Sequence, residues 1–320
     1  MAKTNHRGAL AAAAGTLVAV GLVLLIMLVV VEARPAEATF PGKPGKIAYE
    51  GLDAPNGDFE IYTIKPGGGS KVKLTDNTTG DTEPAYSPSG KKIAYSGQDG
   101  ANGDYEIYTI NSGGGGKVKL TDNTTSDNEP SYSPSGKKIV YSGRDAPNGD
   151  YEIYTINASG GGRVQVTDNS TDDDAPSYSP NGKKIVYSGE DGPNADFEIY
   201  TINAGGGGKV KVTDNDTEEY YSSYSPDGKK IAYSGKEGPN ADWEIYTIKP
   251  GGGGKFNVTD NSTDDSGGVS YSPSGKKIAY GGKEGPNGDY EIYTIKPGGG
   301  GKFKVTDNDT QDDTPSWGSS

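Results

Sequence analysis

A phrase of four residues, Lys-Ile-(Ala or Val)-Tyr, returns six times, with its isoleucine at 47, 93, 139, 185, 231 and 278. The step is 46 residues four times and 47 once. A period of this length confines the chain to repeat architectures, in which each copy is one supersecondary unit that buries its face against the next. One unit runs Pro84-Ala85-Tyr86-Ser87-Pro88-Ser89-Gly90-Lys91-Lys92-Ile93-Ala94-Tyr95-Ser96-Gly97, then Asn102-Gly103-Asp104-Tyr105-Glu106-Ile107-Tyr108-Thr109-Ile110. Four glycines follow, and Lys117-Val118-Lys119-Leu120-Thr121 closes it. Each unit offers four short strand candidates: a around Ala85–Ser87, b at Lys92–Ser96, c at Tyr105–Ile110 and d at Lys117–Thr121. They are rich in Tyr, Ile, Val and Thr, and Pro, Gly, Asn and Asp punctuate them. Outside the N-terminal segment no run reads as a helix. Four strands in a unit of this size predict a propeller blade, and six units predict an all-β, six-bladed propeller over residues 41–318.

The two ends are complementary. The first unit opens at Gly45-Lys46-Ile47, so it has b, c and d but no a. The chain closes on Thr314-Pro315-Ser316-Trp317-Gly318, which is an a strand with nothing after it. Trp317 follows Thr306 by 11 residues, as Tyr86 follows Thr75. The last strand is therefore expected to complete the first blade, which removes the free edge of an open array.

Composition agrees with a folded, strand-rich chain. Only 31% of residues are hydrophobic, yet 22 Tyr and 51 Gly are present, too aromatic a balance for a disordered chain. A net charge of −13 disfavours phosphate backbones, so no nucleic-acid partner is expected. Cysteine is absent and the single histidine is His6, which removes thiolate and imidazole chemistry from the repeats.

Ahead of the repeats, Lys3 and Arg7 precede an uncharged stretch from Ala9 to Val31, followed by Glu32-Ala33-Arg34-Pro35-Ala36-Glu37-Ala38. A basic start, an apolar core and small residues at Ala36 and Ala38 fit a secretory signal. The stretch is also long enough to stay as a membrane anchor. Both readings of residues 1–38 place the remainder outside the cytoplasm, secreted, periplasmic or on the cell surface. Any membrane contact runs through this segment alone, and a monomer is the expected state.

The phrases Pro-x-Tyr-Ser-Pro-Ser-Gly-Lys-Lys-Ile-Ala-Tyr, Tyr-Glu-Ile-Tyr-Thr-Ile and Leu-Thr-Asp-Asn resemble the TolB-like, WD-like β-propeller repeat. The resemblance implies the six-bladed fold. It says less about function, because such propellers include periplasmic partner-binding proteins, protease-associated modules and surface proteins. TolB itself carries an α/β domain ahead of its propeller, for which this chain leaves no room. Some six-bladed relatives are pectate-fragment lyases that depend on His and metal. The repeats here have no His, so that activity is not expected.

Strand direction sorts the loops. The b–c and d–a loops share one face, here the top, and the a–b and c–d turns share the bottom. Carboxylates such as Asp53, Asp58, Asp76 and Asp81 crowd the top, while Lys91, Lys92 and Lys117 fall at the bottom. An acidic top and a basic bottom are expected.

Three sets of candidate residues follow. The b–c loops hold Asp53, Asn56 and Asp58, then Asp99, Asn102 and Asp104, then Asp145, Asn148 and Asp150, and so on round the ring. Clustered hard oxygens suit Ca²⁺; the plainer reading is hairpin turn chemistry. All six d–a loops match the Asn-x-Ser/Thr glycosylation pattern, as at Asn77-Thr78-Thr79, although Asx and Ser/Thr turns account for it equally. Shortly after each comes a carboxylate: Asp81, Asp127, Asp173, Glu219, Asp265 and Asp312. Lying just before the innermost strand, these six are expected to ring the mouth of the central channel and to bind a ligand, or else to cap local N–H groups. The Gly-Lys turns lack the Ser/Thr and helix of a phosphate loop. The repeated Tyr86, Tyr95 and Tyr108 fit core packing.

The reading of the sequence is an exported, non-catalytic propeller that binds a protein or cell-envelope component through its acidic top. The alternatives are a Ca²⁺-dependent adhesin or glycan binder, and a hydrolase or lyase that uses carboxylates alone. No cofactor is required, and Ca²⁺ is the one candidate.

Overall fold

The computed structural model describes residues 43–52, 57–98, 103–144, 149–191, 196–236, 242–283 and 288–320. The expected signal or anchor at 1–38 lies outside them. β1 (Pro44–Leu52), β2 (Phe59–Ile64) and β3 (Val72–Lys73) open the first blade. The second holds β4 (Asp81–Tyr86), β5 (Lys92–Gln98), β6 (Tyr105–Asn111) and β7 (Val118–Lys119). The third holds β8 (Asp127–Tyr132), β9 (Lys138–Arg144), β10 (Tyr151–Asn157) and β11 (Val164–Gln165). β12 (Asp173–Tyr178), β13 (Lys184–Asp191), β14 (Asp196–Asn203) and β15 (Val210–Lys211) make the fourth. β16 (Glu219–Tyr224), β17 (Ile231–Lys236), β18 (Trp243–Ile248) and β19 (Phe256–Asn257) make the fifth. The sixth is β20 (Val269–Tyr271), β21 (Ile278–Lys283), β22 (Tyr290–Ile295) and β23 (Phe303–Lys304). β24 (Asp312–Ser319) then returns to the first blade and pairs with β1, giving six four-stranded antiparallel sheets.

The closure follows the expected register. Trp317 lies opposite Ile47, and Ser316 opposite Ala48. Trp317 joins a buried cluster with Ile47, Tyr49, Tyr62 and Ile64 of its own blade and Ala279, Ile292 and Val305 of the sixth. Two further hydrogen bonds pin the end: the Ser320 N–H donates to the Lys43 carbonyl at 3.0 Å, and Ser319 Oγ to the Pro88 carbonyl at 2.8 Å.

The core is divided among blade interfaces. The isoleucine and tyrosine face of one blade meets the small β-branched face of the one before it, as where Tyr86, Ile93, Tyr95, Tyr108 and Ile110 pack on Ala48 and Ile61. On the tyrosine face, partners directly across the second and third strands stack. The Tyr95 and Tyr108 rings are 5.7 Å apart, and the same pair recurs in every blade. Over each pair lies the cation just before the outermost strand: Lys117 Nζ is 4.2 Å from the centre of the Tyr108 ring. Lys71, Arg163, Lys209, Lys255 and Lys302 repeat the contact. These cations, expected on the bottom face, are drawn inward over aromatic faces, where the ring quadrupole favours them.

Two strand lengths differ from the sequence reading. The outermost strand is two residues long, not five, because Thr121 turns its side chain into the ladder. Its Oγ1 accepts the Ile107 N–H at 2.8 Å, and the chain leaves the sheet there. The innermost strand starts earlier, at Asp81, and runs through a bulge between Thr82 and Ala85.

Removing residues 314–320 takes Trp317 out of its cluster and bares the inner edge of β1. Burial of a tryptophan is worth about 3–5 kcal/mol, which for a domain of this size predicts a Tm lower by about 10 °C or more. A truncated chain that melts with the intact one in a calorimetric scan would contradict closure by β24.

Candidate functional site

The innermost strands surround an axial cavity of about 170 Å³. In five of the six blades its wall runs from a bulge residue, such as Glu83 or Glu129, down to an aromatic, such as Tyr86 or Tyr132; the sixth contributes Gly268, Val269 and Ser270. The bulge residue carries a positive φ: 55° at Glu83 and Glu129, 50° at Ala175, 53° at Tyr221 and 45° at Thr314. For non-glycine residues this conformation is costly and persists only where the surroundings impose it.

Part of that imposition comes from a relay of carboxylates round the mouth. Glu50 Oε2 accepts the Glu83 N–H at 2.7 Å. Glu83 Oε2 accepts the Glu129 N–H at 2.8 Å and Ser96 Oγ at 2.7 Å. Glu129 Oε2 accepts the Ala175 N–H at 2.6 Å and Ser142 Oγ at 2.9 Å. Each link joins one blade to the next. Asp313 ends the series: its carboxylate lies against Gly267 and Gly281, where neither position has room for a Cβ.

Burial pushes the carboxyls of Glu83 and Glu129 and of their neighbours Glu50, Asp174 and Asp313 upward. Glu50 is raised to about 8, first by desolvation and then by Asp313 and Glu83. Asp174 is raised to about 7 by desolvation and by Asp172, and Asp313 to about 6 by desolvation. Glu83 and Glu129 are raised from the same leading cause. What holds their charge is hydroxyls and backbone N–H groups, and among the described residues no ion pair to a lysine or arginine reaches them.

The six carboxylates expected at the mouth occupy a different place. Asp81, Asp127, Asp173, Glu219, Asp265 and Asp312 are all wholly buried and are not among the residues lining the cavity. Each is clamped by the loop asparagine four residues before it. The Asn77 N–H donates to Glu60 Oε1 of the preceding blade at 2.6 Å, and Asn77 Nδ2 to Asp81 Oδ2 at 2.7 Å. Asn123, Asn169, Asn215, Asn261 and Asn308 repeat this staple. The inward-drawn cation supplies the counter-charge. Lys302 Nζ is 3.6 Å from Asp265 Oδ1, and Lys117 and Arg163 lower the pKa of Asp81 and Asp127 against the larger effect of burial. The geometry is that of paired structural ions, and the cavity-lining Glu83 and Glu129 sit two residues further along the strands of Asp81 and Asp127. The bulge separates the two sets, and nothing in the local pattern of the sequence announces it.

The same staple answers for the glycosylation pattern. Asn77 Oδ1 accepts the Thr79 N–H at 2.8 Å, an Asx turn, while Nδ2 is engaged by carboxylates. Of the candidate calcium ligands, Asp53, Asn56, Asp99, Asn102, Asp145 and Asn148 lie outside the described residues. Asp58, Asp104 and Asp150 are described, and each has a buried Oδ2 with no hydrogen-bond partner. Among the described residues no three acidic or histidine side chains converge on a metal-sized point.

The fourth and fifth blades depart from the repeat. Glu219 replaces aspartate, and its extra methylene brings the carboxyl against Glu198, which raises it to about 8 together with the larger effect of burial. Tyr220 packs 4.5 Å from Phe197 and 6.1 Å from Trp243, and Tyr221 stands beside it at the cavity. These four rings are half-buried. Nothing in the sequence announces that Phe197 and Trp243 meet the Tyr220-Tyr221 pair.

The chain matches the family model of the TolB beta propeller domain over residues 52–194 and 145–320. Among solved structures it resembles TolB from Acinetobacter baumannii, with a TM-score of 0.73 and 23% identity over 87% of this chain and 67% of that one. A putative TolB from Agrobacterium tumefaciens gives a TM-score of 0.67 and 19% identity over 85% and 92%. A puromycin hydrolase shares the fold at a TM-score of 0.56 and 14% identity, over 86% and 51%. At these identities the likeness is one of fold. No curated protein matches the chain.

The raised carboxyls set a direction for pH. The folded chain keeps protons that the unfolded chain has released, so stability falls as pH climbs from about 4, the ordinary carboxylate range, to about 8. Tm should therefore be higher at pH 6 than at pH 8.5, and an opposite slope would count against buried, charge-strained carboxyls. Glu219→Asp relieves the contact with Glu198 and should raise Tm at pH 8 by about 2–4 °C, with a smaller gain at pH 6. An unchanged pH 8 melt would show that the two carboxyls do not interact.

Proposed function

The chain belongs to the TolB β-propeller domain family, and from that premise we propose that it is an exported, non-catalytic binding module. It engages a protein or cell-envelope component through the top of its central channel. One observation carries this reading. Glu83 and Glu129 line the cavity, flanked by the carboxyls of Glu50, Asp174 and Asp313, and among the described residues no ion pair to a lysine or arginine reaches them, whereas each of the six buried carboxylates before them has its own Lys or Arg. Uncompensated carboxyls that face a cavity are an electrostatic demand that a cationic segment of a partner, or a bound cation, would meet. The strained bulge residues that form the rim fit such a role, because strain collects at functional positions.

Export is proposed from the basic and apolar start of the chain. The non-catalytic reading is supported by the absence of His and Cys from the repeats. A second reading, glycan binding, draws on the half-buried Phe197, Tyr220, Tyr221 and Trp243 on the same face. Flat apolar rings beside carboxylates are suited to stacking and hydrogen bonding with sugars.

Affinity capture from the native cell envelope separates these readings. The variant carrying Glu83→Gln and Glu129→Gln should lose at least tenfold of its partner capture while keeping its fold, and wild-type capture should weaken between 50 mM and 500 mM salt. Capture that survives both the double change and the salt would refute binding at the acidic mouth. Capture lost only on Trp243→Ala and Tyr220→Ala would favour the glycan reading.

A further inference from the structure

The relay at the mouth stops at the fourth blade. Glu83 and Glu129 occupy equivalent positions, and each carboxylate lies between a serine of its own blade and the bulge N–H of the next. In the fourth blade Ala175 stands where the glutamate would be, but the serine is kept. That serine, Ser188, is 0% exposed, and its Oγ has no hydrogen-bond partner. A buried donor without an acceptor is costly, and each such case calls for an explanation. The Tyr221 N–H holds the position of the other donor, at a bulge equivalent to those of Glu129 and Ala175. Ser188 Oγ, a donor of the kind that holds Glu83 and Glu129, therefore faces a place where residue 175 supplies no acceptor, and the Tyr221 N–H stands at the position of the second donor. Ala175 and Tyr221 both line the axial cavity, so this place opens on the channel.

We infer that the notch at Ala175, between the fourth and fifth blades, is a subsite for a primary carboxamide, the side chain of a glutamine or asparagine in a bound partner. Charge selects the carboxamide over the carboxylate that the second and third blades use. Asp174 is the preceding residue, and Glu129 already holds the Ala175 N–H at 2.6 Å. Another anion between them would be repelled. A carboxamide oxygen accepts from Ser188 Oγ and the Tyr221 N–H without adding charge, and its NH₂ has two donors to offer the flanking carboxylates. A cation alone leaves Ser188 Oγ unserved. The subsite rests on the reading of the channel mouth as the binding surface, but its test needs only the purified chain.

The probe is propionamide, the glutamine side chain as a free molecule, with propionate as its charged counterpart. Propionamide should raise the wild-type Tm in a dose-dependent way at pH 8, and propionate should not. Ala175→Gln supplies the group from the chain itself. The φ of 50° at Ala175 matches the 55° of Glu83 and Glu129, so the longer side chain meets no new backbone strain. This variant should melt about 2–4 °C higher and lose its response to propionamide. Ser188→Ala removes the orphan donor and should leave Tm within about 1 °C while abolishing the propionamide shift. Ser96→Ala, which strips a bond from Glu83, should lower Tm. The proposal is overturned if propionamide stabilises neither wild type nor any variant, if its effect survives both Ala175→Gln and Ser188→Ala, or if Ser188→Ala destabilises as much as Ser96→Ala. A crystal structure grown with propionamide in which Ser188 Oγ bonds only water overturns it equally. Failure here with envelope capture still dependent on Glu83 and Glu129 removes the subsite and leaves the acidic mouth standing.

Discussion

Everything in this propeller depends on one desolvated hydrogen-bond staple. The loop asparagine between two blades gives its N–H to a glutamate of the blade behind and its side-chain amide to an aspartate of the blade ahead. Both carboxylates are wholly buried. Buried charge is tolerated only where it is hydrogen-bonded and countered, so the staple, once formed, fixes the distance and angle between neighbouring sheets. Six copies of it set the pitch of the ring. The tyrosine pairs and the cations above them fill the space that this pitch leaves.

The aromatic stack and the staple also depend on each other. Lys117 reaches across Tyr108 toward Asp81, so the same side chain covers a ring and offsets a carboxylate. Losing the cation would expose the aspartate's burial cost, and losing the tyrosine would leave the ammonium without its surface. This coupling explains why a chain with so few aliphatic residues folds: Tyr, Lys, Asp and Asn do as interlocking polar groups what larger apolar cores do by area alone.

The fold could be read from the spacing of Ile47 to Ile278 and from the split of the first blade between Gly45 and Trp317. These are one-dimensional facts with one closed solution. The binding surface was harder. Alternation along a strand puts Asp81 and Glu83 on one side, and from sequence the carboxylate at position 81, repeated as Asp or Glu six times, looked the stronger candidate. The bulge at Glu83 breaks that alternation, buries Asp81 beside Asn77 and turns Glu83 to the channel. A positive φ at a glutamate is dictated by contacts from a neighbouring blade, Glu50 in this case. No pattern within one repeat contains that information. The variable positions, Glu50, Ala175, Tyr221 and Asp313, proved to carry more about the site than the invariant ones.

Near-identical blades bring a problem of address. β24 could in principle complete a blade other than the first, or the ring could shut with the wrong number of members, since every edge offers similar partners. The odd residues at the seam act against this. Asp313 sits in space left by Gly267 and Gly281, and any blade with a serine at the second of these positions would exclude it. Glu50, the one glutamate in a position otherwise filled by serine or glycine, meets Asp313 in register. The seam is thus a lock with a single matching key, and a circularly permuted or blade-deleted version of this protein would inherit the key without the lock.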